Sequence, residues 1–365
     1  MTKARKYQVD PNVSAHYHVT DRCVQKMFLM GVDPYTQQSY EHRKFWIVER
    51  LRYLSKIFII EIGGYSIMDN HYHLLVKTRP DLLKLLTDEE VLDRWFNLCP
   101  PKFKPSATPR EQKIKNLKAL YLKDREYIKE IRVNIGSLSC FMKVLNQNIA
   151  RRANREMGTT GSFWQSRFHC KMITSAEVAT YTQTYIDLNP IRAGIAETPE
   201  TAKFTSAHDR IEHRQNRKKV REALQVLRDQ KQDKKTSLRD TNPEAVEKFL
   251  AVYKGRNRTK WLASFYKGEF HTRPFFRITE EEYFDLLDCS GREIRADKPG
   301  AIPASLAPIF DRLEIDCQQW VESLKAYDTN FYRVVGKMSK AFELLKHTTN
   351  RWFKGACINR KIFGD

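Results

Sequence analysis

The chain has 365 residues, 41% of them hydrophobic and 12% aromatic, enough to bury a core and too apolar for a disordered tail. Its 64 Lys and Arg against 44 Asp and Glu give a net charge of +20, which favours a polyanionic partner, nucleic acid first, because each basic side chain that meets a phosphate releases condensed counterions. Seven scattered cysteines without a CxxC pair exclude a zinc ribbon and a disulfide framework.

With no apolar signal core and no apolar run of membrane-spanning length, a soluble, cytoplasmic protein without membrane attachment is expected, nucleoid-associated if its partner is DNA. In chain order, "AHYHVTDRCVQKMFLMG" (15–31) opens with strand alternation, His16, His18 and Thr20 on one face and Tyr17 and Val19 on the other. "SYEHRKFWIVERLRYLSKIF" follows at near-helical spacing, with Ser39 as the expected N-cap. "FIIEIGGYSIM" and "HYHLLVKT" are β-rich runs separated by Asp69-Asn70, a two-residue turn that predicts an antiparallel hairpin.

Residues 79–135 read as a helical insertion. "SLSCFMKVLNQNIARRANREM" predicts a helix with the apolar stripe Leu138, Phe141, Val144, Leu145 and Ile149 and a basic end, and "GTTGSFWQSRFHCKMI" a Gly-rich turn and a further strand. "TSAEVATYTQTYIDLNP" predicts a helix opened by a Thr174/Glu177 capping box and ended at Pro190. Arg210 to Arg239 carry eleven Lys or Arg against four Asp or Glu, a net +7, as a basic helix or linker. The rest reads as mostly helical, with a turn-rich centre at "LDCSGREIRADKPGAIPASL". Three units are expected: 1–205, carrying the insertion at 79–135; a basic helix or linker at 206–240; and a helical C-terminal domain at 241–365.

The chemistry-bearing pattern is His71-Tyr72-His73. Side chains at i and i+2 of a strand point the same way, so two imidazoles share a face and can chelate one divalent ion. Two ordinary sheet histidines fit the same spacing, and His16/His18 repeat it. Tyr181, Tyr185 and Asn189 recur at intervals of four and line one helix face. They read either as amphipathic core or as groups that reach the same ion or substrate.

"YHVTDR", "MDNHYHLLVKT", "LSCFMKVLNQNIARRAN", "GSFWQSRFH" and "TYIDLNPIRAGI" occur in an order that resembles the REP-associated tyrosine transposases, the single-tyrosine branch of the HUH endonucleases. The likeness spans roughly residues 10 to 200. It implies an α+β fold with an HUH-type, ferredoxin-like antiparallel sheet and flanking helices, followed here by a mostly helical C-terminal part. By motif it makes His71 and His73 metal ligands, Tyr185 the nucleophile and Asn189 a third polar ligand, with Tyr181 the competing tyrosine. The implied cofactor is Mg²⁺ or Mn²⁺, which suits an amide oxygen and retained waters.

The implied activity is cleavage and rejoining of single-stranded DNA beside a hairpin, such as a repetitive extragenic palindrome, through a 5′-phosphotyrosine. Asp69 stands where many relatives have proline, and Tyr72 where they have an aliphatic residue. Lys143, Arg151, Arg152 and Arg155 on one helix, with Gln165 and Arg167 on the next strand, are expected to contact the DNA backbone. A helicase-type phosphate loop, GxxxxGK[ST], is missing from the sequence, which disfavours the large replication initiators. The alternative is a hairpin-DNA-binding regulator that no longer cuts. Monomer and homodimer are both compatible with these readings.

Overall fold

Alternating polar and apolar residues in the strand segments sort two chemistries onto the two faces of one sheet. The computed structural model of the protein describes residues 9–105, 108–232, 259–266, 275–294, 323–324, 327–331, 333–344 and 355–364. The fold is α+β. Strands β1 (His16–Arg22), β2 (Ile60–Ile67), β3 (His71–Thr78), β4 (His169–Ile173) and β5 (Val334–Val335) form one sheet in the order β2-β3-β1-β4-β5. The first four are antiparallel neighbours, and the short β5 adds a parallel edge.

On one face Tyr17, Val19, Tyr72, Leu74, Val76 and Met172 join a core covered by α1 (His42–Leu54) and by a later helix at Leu138–Glu156. Each fully buried aliphatic side chain there contributes about 1.5–3 kcal/mol relative to exposure. The opposite face carries His16, His18, His71, His73 and Leu75. A one-residue register slip would exchange the two sets. Between β2 and β3, Met68 N bonds His71 O at 2.8 Å, which closes the expected hairpin around Asp69-Asn70.

Four helices fill the segment between β3 and residue 136: α2 (Pro80–Leu83), α3 (Asp88–Leu98), α4 (Arg110–Tyr121) and α5 (Arg125–Gly136). They gather a satellite core of Val91, Leu92, Ile128, Ile131 and Ile135. The stripe helix is α6 (Leu138–Glu156), N-capped by Ser137.

Helix α7 (Ala176–Arg192) lies on the histidine face and is buried from Val178 to Ile191. It departs from expectation at both ends. Ser175, not Thr174, is its N-cap, accepting from Val178 N. Pro190 does not end it: the helix runs to Arg192, and Gly194, at φ +68°, takes the left-handed conformation that terminates it. A proline so near the C-terminus removes only one helix bond.

Helix α8 (Ser206–Gln232) carries the basic run; the remainder of that run, to Arg239, lies outside the described residues. Helix α9 (Glu280–Ile294) replaces the turn expected around 287–294, and the rest of that turn-rich stretch is also outside them. Helices α10 (Tyr327–Asn330), α11 (Met338–Leu344) and α12 (Ala356–Phe363) complete the described chain. The last docks by Ile362 and Phe363, as an amphipathic terminal helix would.

The described C-terminal residues share a core with α7: Tyr181, Tyr185, Phe275, Phe276, Tyr283, Tyr327, Phe331 and Phe363 belong to one cluster. Two glycines in β2 permit this approach. A Cβ at Gly63 would lie 2.3 Å from the Phe275 ring, and one at Gly64 2.2 Å from Gln183 Nε2. The polar side of α7 is knitted to its neighbours through buried Asp187, which accepts from Gln183 Nε2, Ser206 Oγ, Ala207 N and Tyr283 Oη. These donors offset its desolvation, although burial still pushes its pKa up. No helix among the described residues is long and apolar enough to cross a membrane.

Candidate functional site

The site is assembled where β3, β1, β4, α7 and α10 meet. In β3 the two-residue spacing aims His71 and His73 at α7, with ring centroids 5.0 Å apart. Antiparallel pairing of β1 with β3 sets Thr20 opposite His73 and His18 opposite Leu75, so the His18 ring lies diagonally beside His73. Its Nε2 is 2.9 Å from His73 Nδ1. His71 Nδ1 bonds the Asn70 side-chain oxygen at 2.6 Å.

Each histidine of β3 therefore has its Nδ1 engaged by a neighbour. His73 Nε2 is buried without a hydrogen-bond partner. Burial first, then the Arg22 charge, pulls the His71 pKa down to about 4. Burial, then Lys171, pulls His18 down to about 3. Burial and the neighbouring imidazoles hold His73 well below its usual value. All three are neutral at pH 7, which is the form that offers a nitrogen lone pair.

Tyr185 completes the cluster from α7. Its ring centroid is 5.7 Å from that of His73 and 5.8 Å from that of His18. Tyr327 of α10 stacks on it at 3.8 Å, and the Arg192 guanidinium lies 5.0 Å from its ring centre. The Tyr185 hydroxyl donates to Asp328 Oδ2 at 2.6 Å, while Lys171 of β4 reaches Asp328 Oδ1 at 3.1 Å. Burial, reinforced by the Asp328 charge, raises the Tyr185 pKa above its usual value. Burial also opposes ionisation of Asp328, but Lys171 and the hydrogen bond from Tyr185 outweigh it and hold that carboxyl low.

Among the residues expected from sequence, His71, His73 and Tyr185 come together. Asn189 is buried one turn beyond Tyr185, its Nδ2 bonded to the Tyr185 carbonyl at 2.9 Å. Tyr181 faces away into the C-terminal core, giving its hydroxyl to Ser323 at 2.8 Å and packing on Phe331 and Phe363.

Lys143, Arg151, Arg152 and Arg155 are exposed on α6, whose buried residues join the core on the sheet face away from the histidines, so they do not line the histidine cluster. Arg152 lies over Trp46 at 3.8 Å. Gln165 and Arg167 are exposed in a bend before β4, not on a strand. That bend is tied to the histidine end of the sheet, since Gln165 N bonds Arg22 O at 2.8 Å and Arg22 pairs with His71.

Sequence reasoning missed His18, Lys171, Arg192, Tyr327 and Asp328. The repeated HxH carried a trace of His18, and Arg192 lies within "NPIRAG". Asp328 follows Tyr185 by 143 residues, and no local spacing could have paired them.

A metal ion has donors here. Two neutral imidazoles, one with an orphaned buried nitrogen, fit a divalent cation, and the engagement of both Nδ1 atoms fixes their orientation. Among the described residues no group of three or more His, Cys, Asp or Glu is gathered around a common point. The remaining ligands would therefore be an amide, water or substrate oxygens.

No family model matches the sequence, and none of the curated proteins matches it. Among solved structures the chain is similar to a REP-associated tyrosine transposase bound to a REP hairpin, at 12% identity and a TM-score of 0.31, over 57% of this chain and 84% of that one.

Proposed function

We propose that the protein is a metal-dependent single-stranded DNA endonuclease and transposase of the single-tyrosine HUH type, acting at hairpin-associated sites. The observation that carries this reading is the packing of Tyr185, 5.7 Å between ring centroids, against His73, whose Nε2 is buried and unpartnered. If His73 Nδ1–H donates to His18, that Nε2 presents a lone pair. His71 Nδ1–H donating to Asn70 leaves its Nε2 in the same state.

The Nε2 atoms of His71 and His73 would hold Mg²⁺ or Mn²⁺, with the Asn189 side-chain oxygen as third protein donor. When bound, that ion withdraws charge from the scissile phosphate and fixes its position. Tyr185 attacks in line, forming a 5′-phosphotyrosine and freeing a 3′-hydroxyl, and the retained phosphodiester energy allows a different 3′-hydroxyl to reseal the strand. A phenol with a raised pKa is a weak nucleophile on its own, so activation by its surroundings is required. Gln165 and Arg167, in the bend tied to the His71 end of the sheet, would contact the DNA backbone near the cut. Lys143, Arg151, Arg152 and Arg155 would hold a more distant part of a hairpin through its phosphates.

A second reading, a hairpin-DNA-binding regulator that does not cut, is favoured by one observation. Tyr185 is fully buried, stacked under Tyr327 and hydrogen-bonded to Asp328. A denaturing-gel assay separates the two readings. Labelled single-stranded hairpin oligonucleotides are incubated with Mg²⁺ or Mn²⁺ and with wild type, Tyr185→Phe or His71→Ala. The nuclease reading expects a metal-dependent covalent adduct that disappears in both variants. Tight binding without metal and without any adduct would establish the regulator instead.

A further inference from the structure

We infer that Asp328, contributed by the C-terminal segment outside the region of sequence resemblance, is the catalytic proton acceptor for Tyr185. The inference rests on the nucleophile assignment and extends it to a residue that no local motif marks. It begins from an unmet chemical need. The Tyr185 phenol is buried in an aromatic cluster under Tyr327, and a tyrosine, with an ordinary pKa of about 10, carries its proton at neutral pH. Its proton must therefore leave as the new bond forms, to a base already in contact with the oxygen.

Asp328 meets the geometric requirement. Its Oδ2 accepts the phenol hydrogen at 2.6 Å, and its Oδ1 is fixed by Lys171 Nζ at 3.1 Å. Both carboxylate oxygens are thus engaged, and the group is aimed at the reacting atom in the manner of a base oriented by a third side chain. Lys171 is itself set by the pairing of β4 with β1, where it lies opposite His18. Tyr327, the preceding residue, stacks on the Tyr185 ring at 3.8 Å, so the segment supplies both the platform that holds the phenol and the group that takes its proton. The Asp328 side chain is 63% exposed, and a proton received there can exchange with solvent.

In cleavage, the bond from Tyr185 Oη to phosphorus forms as the bond from phosphorus to the 3′-oxygen breaks. The phenol proton passes to Asp328 Oδ2, and the departing 3′-oxygen takes a proton from water. In resealing, an incoming 3′-hydroxyl attacks the phosphotyrosine and gives its proton to solvent. The phenolate that leaves recovers its proton from Asp328. Uphill transfer from phenol to carboxylate becomes favourable only as the phenol oxygen bonds to phosphorus, so the two events are coupled.

The test uses the full chain, a hairpin oligonucleotide with a single-stranded flank, and Mn²⁺. DNA affinity is measured alongside the rate of adduct formation. Asp328→Asn keeps an oxygen that can accept the hydrogen bond but cannot store the proton. Adduct formation is expected to slow on the order of 100-fold or more at unchanged DNA affinity. In Asp328→Ala, added formate should restore part of the rate in proportion to its concentration, an effect that a purely structural role would not show.

An undiminished rate in both variants, with the wild type active, overturns the role of Asp328 and leaves the nucleophile reading intact. A faster rate on removal overturns it too and makes the segment a screen over Tyr185. Absence of an adduct from wild-type protein with every DNA it binds overturns the nucleophile reading and this inference together.

Discussion

Two histidine pairs with identical spacing, His16/His18 on β1 and His71/His73 on β3, lie on the same face of the same sheet, and their surroundings differ. His16 meets the edge of Phe275, 4.7 Å between ring centroids, and lies opposite Lys77. His18 leaves that environment within one pleat and touches His73. The β3 pair faces Tyr185 and, through it, Asp328. A two-residue period assigns the face; what covers each position along the strand decides whether an imidazole is packing, support or donor. The four histidines thus grade from a packed ring at His16, through a supporting ring at His18, to two candidate ligands.

The largest effect should separate the ends of that grading. His73→Ala is predicted to reduce Mn²⁺ affinity at least 100-fold, because it removes a buried, unpartnered Nε2 in the ring cluster with Tyr185, on a ring whose Nδ1 is already engaged by His18. His16→Ala should leave that affinity within a factor of two. Calorimetric titration of the two variants with Mn²⁺ decides the matter, and equal losses would dissolve the distinction between the pairs.

His18 should fall between them. Its Nε2 orients His73 through Nδ1, and loss of such a support behind a ligating histidine commonly weakens metal binding 10- to 100-fold. His18→Leu is predicted to show that loss, and His18→Gln, which can still accept a hydrogen bond, to recover part of it. A His18→Leu protein that binds Mn²⁺ as the wild type does would make His18 a packing residue like His16.

How much of this was legible in the sequence follows from how local each feature is. The β2–β3 hairpin was readable because Asp69-Asn70 is a turn between two β-rich runs, and α6 because Leu138, Phe141, Leu145 and Ile149 recur at helical spacing and are buried. The common face of His71 and His73 followed from strand period alone. Pro190 misled because its effect depends on where the helix would have ended in any case. The stretch 287–294 misled because Ser290 and Gly291 resemble a turn, yet here they lie in a helix packed on α7, with Gly291 against Leu188. His18 needed the inter-strand register, and Asp328 needed the path of the whole chain. The surroundings of Tyr185 are therefore drawn from distant parts of the chain, which local sequence patterns do not reveal.

The smallest predicted effect isolates His16 as a packed, neutral ring. Burial first, then the Lys77 charge, holds its folded pKa well below the usual value, against a weaker opposing backbone hydrogen bond at Phe275. The unfolded chain has an ordinary histidine there, with a pKa of about 6.5. Above that value neither state is protonated and His16 contributes nothing to the pH dependence. Below it the unfolded state gains a proton that the folded state refuses, so unfolding becomes easier by about 1.4 kcal/mol per pH unit until the folded pKa is reached. The same sign applies to His18 and to His73, whose folded values are also depressed by burial, so the wild type should lose stability steeply in acid. His16→Gln removes one of these contributions, and its urea-unfolding free energies at pH 7.5, 6 and 5 should fall less steeply than those of the wild type. Parallel curves would mean that His16 is protonated inside the fold, and the contrast between a packed pair member and its supporting neighbour would then lose its electrostatic basis.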